Sequence, residues 1–194
     1  MGFFDKVKEQ AAGAEVAAVG SAGQSGNRSV QVTFASMPET PAEFTAMPQA
    51  ALQTPFDTAA MFIAALCVYP LSKDSTIAMI NYLRGPNPMA PREISFLADR
   101  MAQNKKAGFL GASYFVGATP QNDYSPSEPY TVIVSESPRS YDTQGCATLY
   151  VKSGGGDSLR PITMRLAKDG KWYLWEYSTL LTDIRAPEST NPWA

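Results

Sequence analysis

The chain has 194 residues, of which 44% are hydrophobic and 11% aromatic, so it is long and apolar enough for one folded domain with a sizeable core. The formal net charge is -2, and no strong field of either sign would attract nucleic acid, so we expect no nucleic-acid binding. The absence of histidine excludes Ser-His-Asp and Cys-His catalytic systems and argues against a catalytic zinc site.

Residues 1–29 are predicted to form a flexible or helical N-terminal tail ahead of a single domain, residues 30–194. Most of the tail is rich in Ala, Gly and Ser, a composition typical of linkers. Near its start, Phe3, Phe4 and Val7 would share one side of a short helix. This helix either packs on the domain or contacts a membrane surface or a partner. The chain contains no secretory signal and no apolar run long enough to span a membrane, so the predicted location is the cytoplasm.

The first half of the domain is predicted to be mostly helical. Alternating apolar residues predict a strand at 29–34, and the prolines that follow predict a loop with one helical turn. Three helices are then expected between recognisable caps. They begin after Thr54, Ser72 and Ala90 and end near Tyr69, Gly85 and Lys106. The first of them is apolar on nearly every side and is therefore expected at the centre of the domain.

From residue 112 onward, the pattern changes to the alternation that is typical of strands. The predicted strands are 113–117, 130–136, 146–152, 159–167 and 171–177. This order of elements predicts an α+β fold in which N-terminal helices pack on a curved antiparallel sheet. A cone-like roll, of the nuclear-transport-factor-2-like or cystatin-like type, is one arrangement with this order.

The last two strands are predicted to form a hairpin around Asp169 and Gly170, because this dipeptide favours a two-residue turn. Pairing outward from that turn gives three pairs that would cover the core. These pairs are Leu166 with Tyr173, Met164 with Trp175, and Ile162 with Tyr177. The other face of the hairpin would then carry Trp172, Leu174, Arg165 and Glu176.

Both faces of this hairpin contain candidate site residues. The set Trp172, Leu174, Arg165 and Glu176 is a candidate ligand or partner surface, unless the tail or a loop covers it. The set Tyr173, Trp175 and Tyr177 would line a pocket if the sheet and the helices leave space between them. Which of the two faces is concave is left open by the sequence, and the two assignments exchange if the curvature is reversed.

No catalytic residue, metal site or cofactor is predicted. The glycine-rich segment SGGGDSLRP, residues 153–161, lacks the lysine and the following helix of a phosphate-binding loop. The carboxylates show no spacing that would bring two of them together on one helix face. Cys67 and Cys146 are too few and too far apart for a metal motif, and we interpret both as small apolar core residues.

Five phrases of the sequence, FLADRM, SYFVGATPQNDYSPSEPYTVIVSE, GGGDSLRPITMRL, WYLWEYSTLLTDIRAP and NPWA, resemble an uncharacterised bacterial family that is classed as a domain of unknown function. The resemblance covers about residues 50–194. It implies a bacterial, intracellular protein. Because no activity is assigned to that family, the resemblance implies no catalytic residue.

Three functions from different classes remain open. The favoured hypothesis is a non-enzymatic protein-interaction module, which predicts a homodimer or a complex with another protein. The alternative is a small-ligand carrier or sensor with a pocket between the sheet and the helices. An enzyme without histidine, using Asp, Glu, Tyr or Arg side chains, is the least favoured.

Overall fold

A computed structural model describes residues 28–190 of the chain, as four α-helices and five β-strands with short 3-10 helices between them. The helices are α1 (Pro41–Ala46), α2 (Pro55–Cys67), α3 (Lys73–Arg84) and α4 (Pro91–Ala102). The strands are β1 (Ser29–Phe34), β2 (Tyr130–Ser135), β3 (Cys146–Val151), β4 (Arg160–Leu166) and β5 (Trp172–Glu176). All four helices therefore lie between the first strand and the second.

The strands form one five-stranded sheet in the order β1-β2-β3-β4-β5, and every neighbouring pair is antiparallel. Together with the helices, this sheet confirms the predicted α+β fold. The predicted first strand matches β1 at both ends. The more detailed expectation of a cone-like roll, nuclear-transport-factor-2-like or cystatin-like, stays a prediction.

Helix α2 lies at the centre of the domain. The Thr54 hydroxyl accepts a hydrogen bond from the Asp57 N–H at 3.1 Å, and Pro55 occupies the first helical position, so the helix begins where the sequence predicts. Eleven of its 13 residues are buried, and it contacts all five strands. The inner face of the sheet therefore packs on α2, and the core lies between them.

The three predicted helices are confirmed, but two of them end earlier than expected. Helix α3 begins after its cap Ser72 and ends at Gly85, as expected. Helix α2 ends at Cys67, slightly before Tyr69. Helix α4 ends at Ala102 rather than at Lys106, because the chain tightens there into a 3-10 helix, Gln103–Gly108.

The predicted strand at 113–117 is wrong. Residues Ala112–Tyr114 form a 3-10 helix, and Phe115 makes only an isolated bridge to Val132 of β2. The consecutive side chains of Tyr114 and Phe115 are both buried, at 2% and 4% exposure. A strand with one covered face turns consecutive side chains to opposite sides, so an extended segment would leave one of these rings in water.

The register of the β4–β5 hairpin differs from the expected one beside the turn. Leu166 pairs with Trp172 and Met164 with Leu174, one residue away from the predicted partners. Gly170 has a left-handed φ of 80°, and the Ala167 N–H bonds the Lys171 carbonyl at 2.9 Å, so the turn has three residues instead of two. An Asp-Gly dipeptide suits either turn, because glycine readily adopts the left-handed position that each requires.

A β-bulge corrects the shift further along the hairpin. Thr163 pairs with Glu176, as in the expected register, because β5 contains one extra residue between Leu174 and Glu176. Trp175 is this extra residue. Because of the shifted register before the bulge, Leu174 lies on the inner face at 2% exposure and Trp175 points outward at 45% exposure.

The tail lies almost entirely outside the described residues. Phe3, Phe4 and Val7, expected on one side of a terminal helix, fall in this part of the chain, and the division into a tail and one domain stays a prediction. Among residues 28–190, none of the helices is long and apolar enough to cross a membrane.

The two hairpin registers predict opposite effects of two alanine substitutions. We expect Leu174→Ala to lower the free energy of unfolding by about 2–4 kcal/mol, because it removes a buried side chain from the core. Trp175→Ala should lower it by less than about 1 kcal/mol, because the indole is largely in water. Urea denaturation followed by circular dichroism measures both values. The reverse order of effects would support the two-residue turn.

Candidate interaction surface on the open face of the sheet

The face of the sheet opposite α2 is not covered by any described helix. Because side chains alternate along a strand, every second residue belongs to this surface, which we call the open face. Its members are Ser29, Gln31, Thr33, Thr131, Ile133, Ser135, Cys146, Thr148, Tyr150, Thr163, Arg165 and Trp175. All of them are half-buried or exposed. Tyr173, opposite Arg165, also leaves β5 on this side, but at the edge of the sheet its ring packs on Gly85.

Hydroxyl pairs between neighbouring strands dominate the open face. Ser29 pairs with Ser135 at 2.9 Å. Thr33 pairs with Thr131 at 3.1 Å, and Thr148 with Thr163 at 3.0 Å. Each hydroxyl has one donor and two acceptor positions, so these pairs keep hydrogen-bonding capacity for a bound molecule. The surface is therefore polar, almost uncharged and held in a fixed register.

Trp175 and Arg165 form the most prominent feature of the open face. The Arg165 guanidinium carbon lies 4.8 Å from the centre of the Trp175 ring, which is the geometry of a cation–π contact. Both side chains are exposed, Trp175 at 45%. The shifted register of β5 turns the indole outward, and the guanidinium lies against its face. A large aromatic surface is thus presented to solvent.

The structure does not bring the four predicted surface residues together on one face. Leu174 is buried, and Trp172 is half-buried beside α2, where its carbonyl accepts a hydrogen bond from the Thr58 hydroxyl at 2.6 Å. Arg165 lies on the open face. The Glu176 carboxylate accepts the N–H group of Ser178 at 2.8 Å, so it shapes the end of β5.

The three tyrosine and tryptophan residues expected around a pocket point in different directions. The Tyr173 ring packs on Gly85, and its hydroxyl donates to Asp169 at 2.8 Å. Trp175 belongs to the open face. Tyr177 is buried with its ring centre 4.7 Å from that of Phe62, and burial raises the pKa of its hydroxyl to about 12.

Two shallow depressions lie at the rim of the sheet, beyond the end of β1. Their volumes are about 500 and 610 Å³, and both are open to solvent. They share the lining residues Ser36, Met37 and Glu39. Neither is lined by a residue of α2 or of β3, β4 or β5, so neither lies in the space where a pocket was expected.

A largely buried group of ionisable side chains that the sequence did not indicate lies around Arg84. Its guanidinium lies 3.0 Å from the Glu93 carboxylate, and its Nε donates to the Asn87 carbonyl at 2.8 Å. The same guanidinium lies over the Tyr177 ring at 5.9 Å. The Ala90 N–H donates to Glu93 at 2.7 Å. The only sequence signal is the position of Glu93 in the first turn of α4, where a carboxylate can satisfy free backbone N–H groups.

The Arg84 cluster supports the fold rather than a ligand. The Arg84 side chain is only 5% exposed, and the Glu93 carboxylate that it contacts also binds backbone. The contacts join the end of α3, the following loop, the start of α4 and the ring of Tyr177. A substrate would have no access to the guanidinium without displacing these partners.

Within the described part of the chain, no group of three or more Cys, Asp or Glu side chains is placed to hold a metal ion. Cys67 and Cys146 are free and half-buried. Burial raises the pKa of the Cys67 thiol to about 12, so it is protonated at neutral pH and is a poor nucleophile.

Removal of Arg84 should destabilise the domain. We expect Arg84→Met to lower the free energy of unfolding by about 3 kcal/mol, because it leaves the partly buried Glu93 carboxylate without its partner. The double variant Arg84→Met/Glu93→Leu should lose less than the sum of the two single variants. Denaturant unfolding of all three proteins measures this coupling. Arg139→Met, which removes a pair with side chains 87% and 60% exposed, is the control and should change little. Strictly additive effects would contradict the coupling.

Comparison with other proteins bears on the whole domain rather than on one site. Neither a curated protein nor a solved structure shows significant similarity to the chain. A family model described as a domain of unknown function, DUF6935, matches residues 36–188, which include all four helices and β2 to β5. This match confirms the resemblance noted in the sequence. The chain belongs to the DUF6935 family.

Proposed function

We propose that this domain is a non-enzymatic protein-interaction module that binds a protein partner on the open face of its sheet. The observation that carries the proposal is the exposed Trp175 ring held by Arg165. Tryptophan and arginine are the residue types that most often dominate the binding energy of protein interfaces. The cytoplasm of a bacterial cell is the setting that the sequence favours.

The energy available from Trp175 is sufficient to anchor an interface. Its exposed part amounts to an area on the order of 100 Å², and burial of that area contributes about 2–3 kcal/mol. A tryptophan side chain has only two rotatable bonds, so little side-chain entropy is lost when its ring is fixed on binding.

The rest of the open face fits the surroundings of such an anchor. Ile133, 39% exposed, adds apolar surface on β2, and the hydroxyl pairs between the strands supply hydrogen-bond donors and acceptors. This combination resembles interfaces in which polar contacts surround a few large side chains. Because the face carries few charges, we expect the affinity to depend only weakly on salt concentration.

The two other functions considered from the sequence have less support. Tyr173, Trp175 and Tyr177 do not converge on a cavity. The ionisable groups buried around Arg84 already bind one another and the backbone. A partner protein therefore fits the geometry better than a small ligand or a substrate.

Substitution of Trp175 should abolish partner binding without unfolding the domain. Tagged wild-type protein, Trp175→Ala and Leu71→Ala would be expressed in a native bacterial host and cross-linked, and bound proteins quantified by mass spectrometry. Leu71 is 68% exposed but lies outside the open face, so its variant is the matched control.

We expect at least a tenfold loss of the partner with Trp175→Ala and no loss with Leu71→Ala. Titration of the purified partner against the same three proteins would then have to give the same order of affinities. Equal recovery with all three proteins, or no specific partner with any of them, would argue against the proposal.

A further inference from the structure

The outer edge of β1 has backbone groups without partners among residues 28–190. The Glu136 N–H donates to the Arg28 carbonyl at 2.8 Å, and bonded and non-bonded pairs alternate in an antiparallel ladder. The even-numbered residues of β1 therefore bond β2. The N–H and C=O groups of Ser29, Gln31 and Thr33 point away from β2, toward the edge of the sheet.

One short segment caps part of both sheet edges. The Gln49 side chain donates to the Thr33 carbonyl at 3.1 Å on the β1 edge. The Leu52 carbonyl accepts the Trp172 N–H at 2.9 Å on the β5 edge, where Thr58 binds the Trp172 carbonyl. For the outward groups of Ser29 and Gln31 the described residues provide no such cap.

The sequence of β1 lacks the features that usually protect a free edge. Its residues, SVQVTF, include no charge and no proline, and Val, Thr and Phe favour strands. Exposed edges of natural sheets normally carry lysine, proline or a bulge, because a bare edge pairs with another strand. This edge is therefore suited to pairing.

We propose that the β1 edge pairs antiparallel with β1 of a second copy of this chain. Ser29 lies opposite Gln31 of the second copy, with the two-fold axis at Val30. The N–H and C=O groups of Ser29 and Gln31 in the two copies then form four hydrogen bonds. The two sheets join into one sheet of ten strands.

A second copy fits this edge well. The outward N–H and C=O groups of Ser29 and Gln31 lie on either side of Val30, so a two-fold axis at Val30 brings each donor opposite an acceptor of the second copy. In this register Arg28 faces Val32 of the second copy, so no like charges meet. The backbone edge of β1 lies apart from Trp175, although the Ser29 and Gln31 side chains belong to the open face, so Trp175→Ala tests the proposed function without altering the edge.

Sedimentation velocity of the full chain tests the dimer. Wild-type protein should approach twice its 20.9 kDa mass as its concentration rises. Gln31→Pro removes an N–H that points away from β2, which an edge strand tolerates, so the fold should persist while the dimer weakens. We expect its dimer dissociation constant to rise at least tenfold. Gln31→Thr keeps the N–H and should stay within threefold of wild type, as should Trp175→Ala.

A disulfide test fixes the register and does not depend on the proline variant. In a background with Cys67→Ala and Cys146→Ala, Ser29→Cys and Gln31→Cys would be made in separate proteins. Bonded antiparallel pairs have Cα atoms about 5.5 Å apart, which a disulfide can bridge. Mild oxidation of the mixture should give a cross-linked dimer, and each protein alone should give far less.

Three results would overturn the proposal. The first is a wild-type protein that remains monomeric at all concentrations. The second is a folded Gln31→Pro variant that dimerises as tightly as Gln31→Thr. The third is a mixture of the two cysteine variants that cross-links no better than either alone. Loss of the dimer with Trp175→Ala alone would instead place the self-association on the open face.

Discussion

The burial of helix α2 is the constraint on which the rest of the structure depends. A helix that is apolar on nearly every side must be covered on every side, and no single element can do this. The inner faces of all five strands cover one side, and neighbouring helices, α3 among them, pack against the helix as well. Alanines at 59, 60, 64 and 65 let these elements approach closely, and each of them is 0% exposed. The inner face of the sheet thus supplies the apolar cover that one side of α2 needs.

The same arrangement explains why the opposite face is open. The four α-helices all belong to the segment between β1 and β2 and pack on the α2 side of the sheet, so none of them covers the outer face. That face is made compatible with water by hydroxyl side chains, which pair across β1–β2 and β3–β4. Threonine favours strands and is also polar, so it suits a surface that must be both extended and solvated. Against this background, an exposed tryptophan is an exception that calls for a functional reason.

The features predictable from sequence were those determined by neighbouring residues. Thr54 with Pro55 starts α2, and Ser72 and Gly85 bound α3, because a cap acts within one helical turn. The turn at Asp169 and Gly170 was located correctly, but its length was not, since both turn types accept the dipeptide. The strand expected at 113–117 and the Arg84–Glu93 pair depended on distant parts of the chain. The hairpin residues predicted for a site are divided between its two faces differently from the expectation, because the register beside the turn is shifted.

The difference between the expected and the observed register of the hairpin also explains why Trp175 is exposed. The three-residue turn shifts the pairing of β5 by one position, which places Leu174 in the core beside Met164. Without a correction, Tyr177 would face outward and lose its contact with Phe62. The same shift turns Trp175 outward, and the bulge that follows restores the register, so Tyr177 remains buried. The longer turn therefore exposes one large aromatic ring, and the bulge keeps the packing around α2 intact.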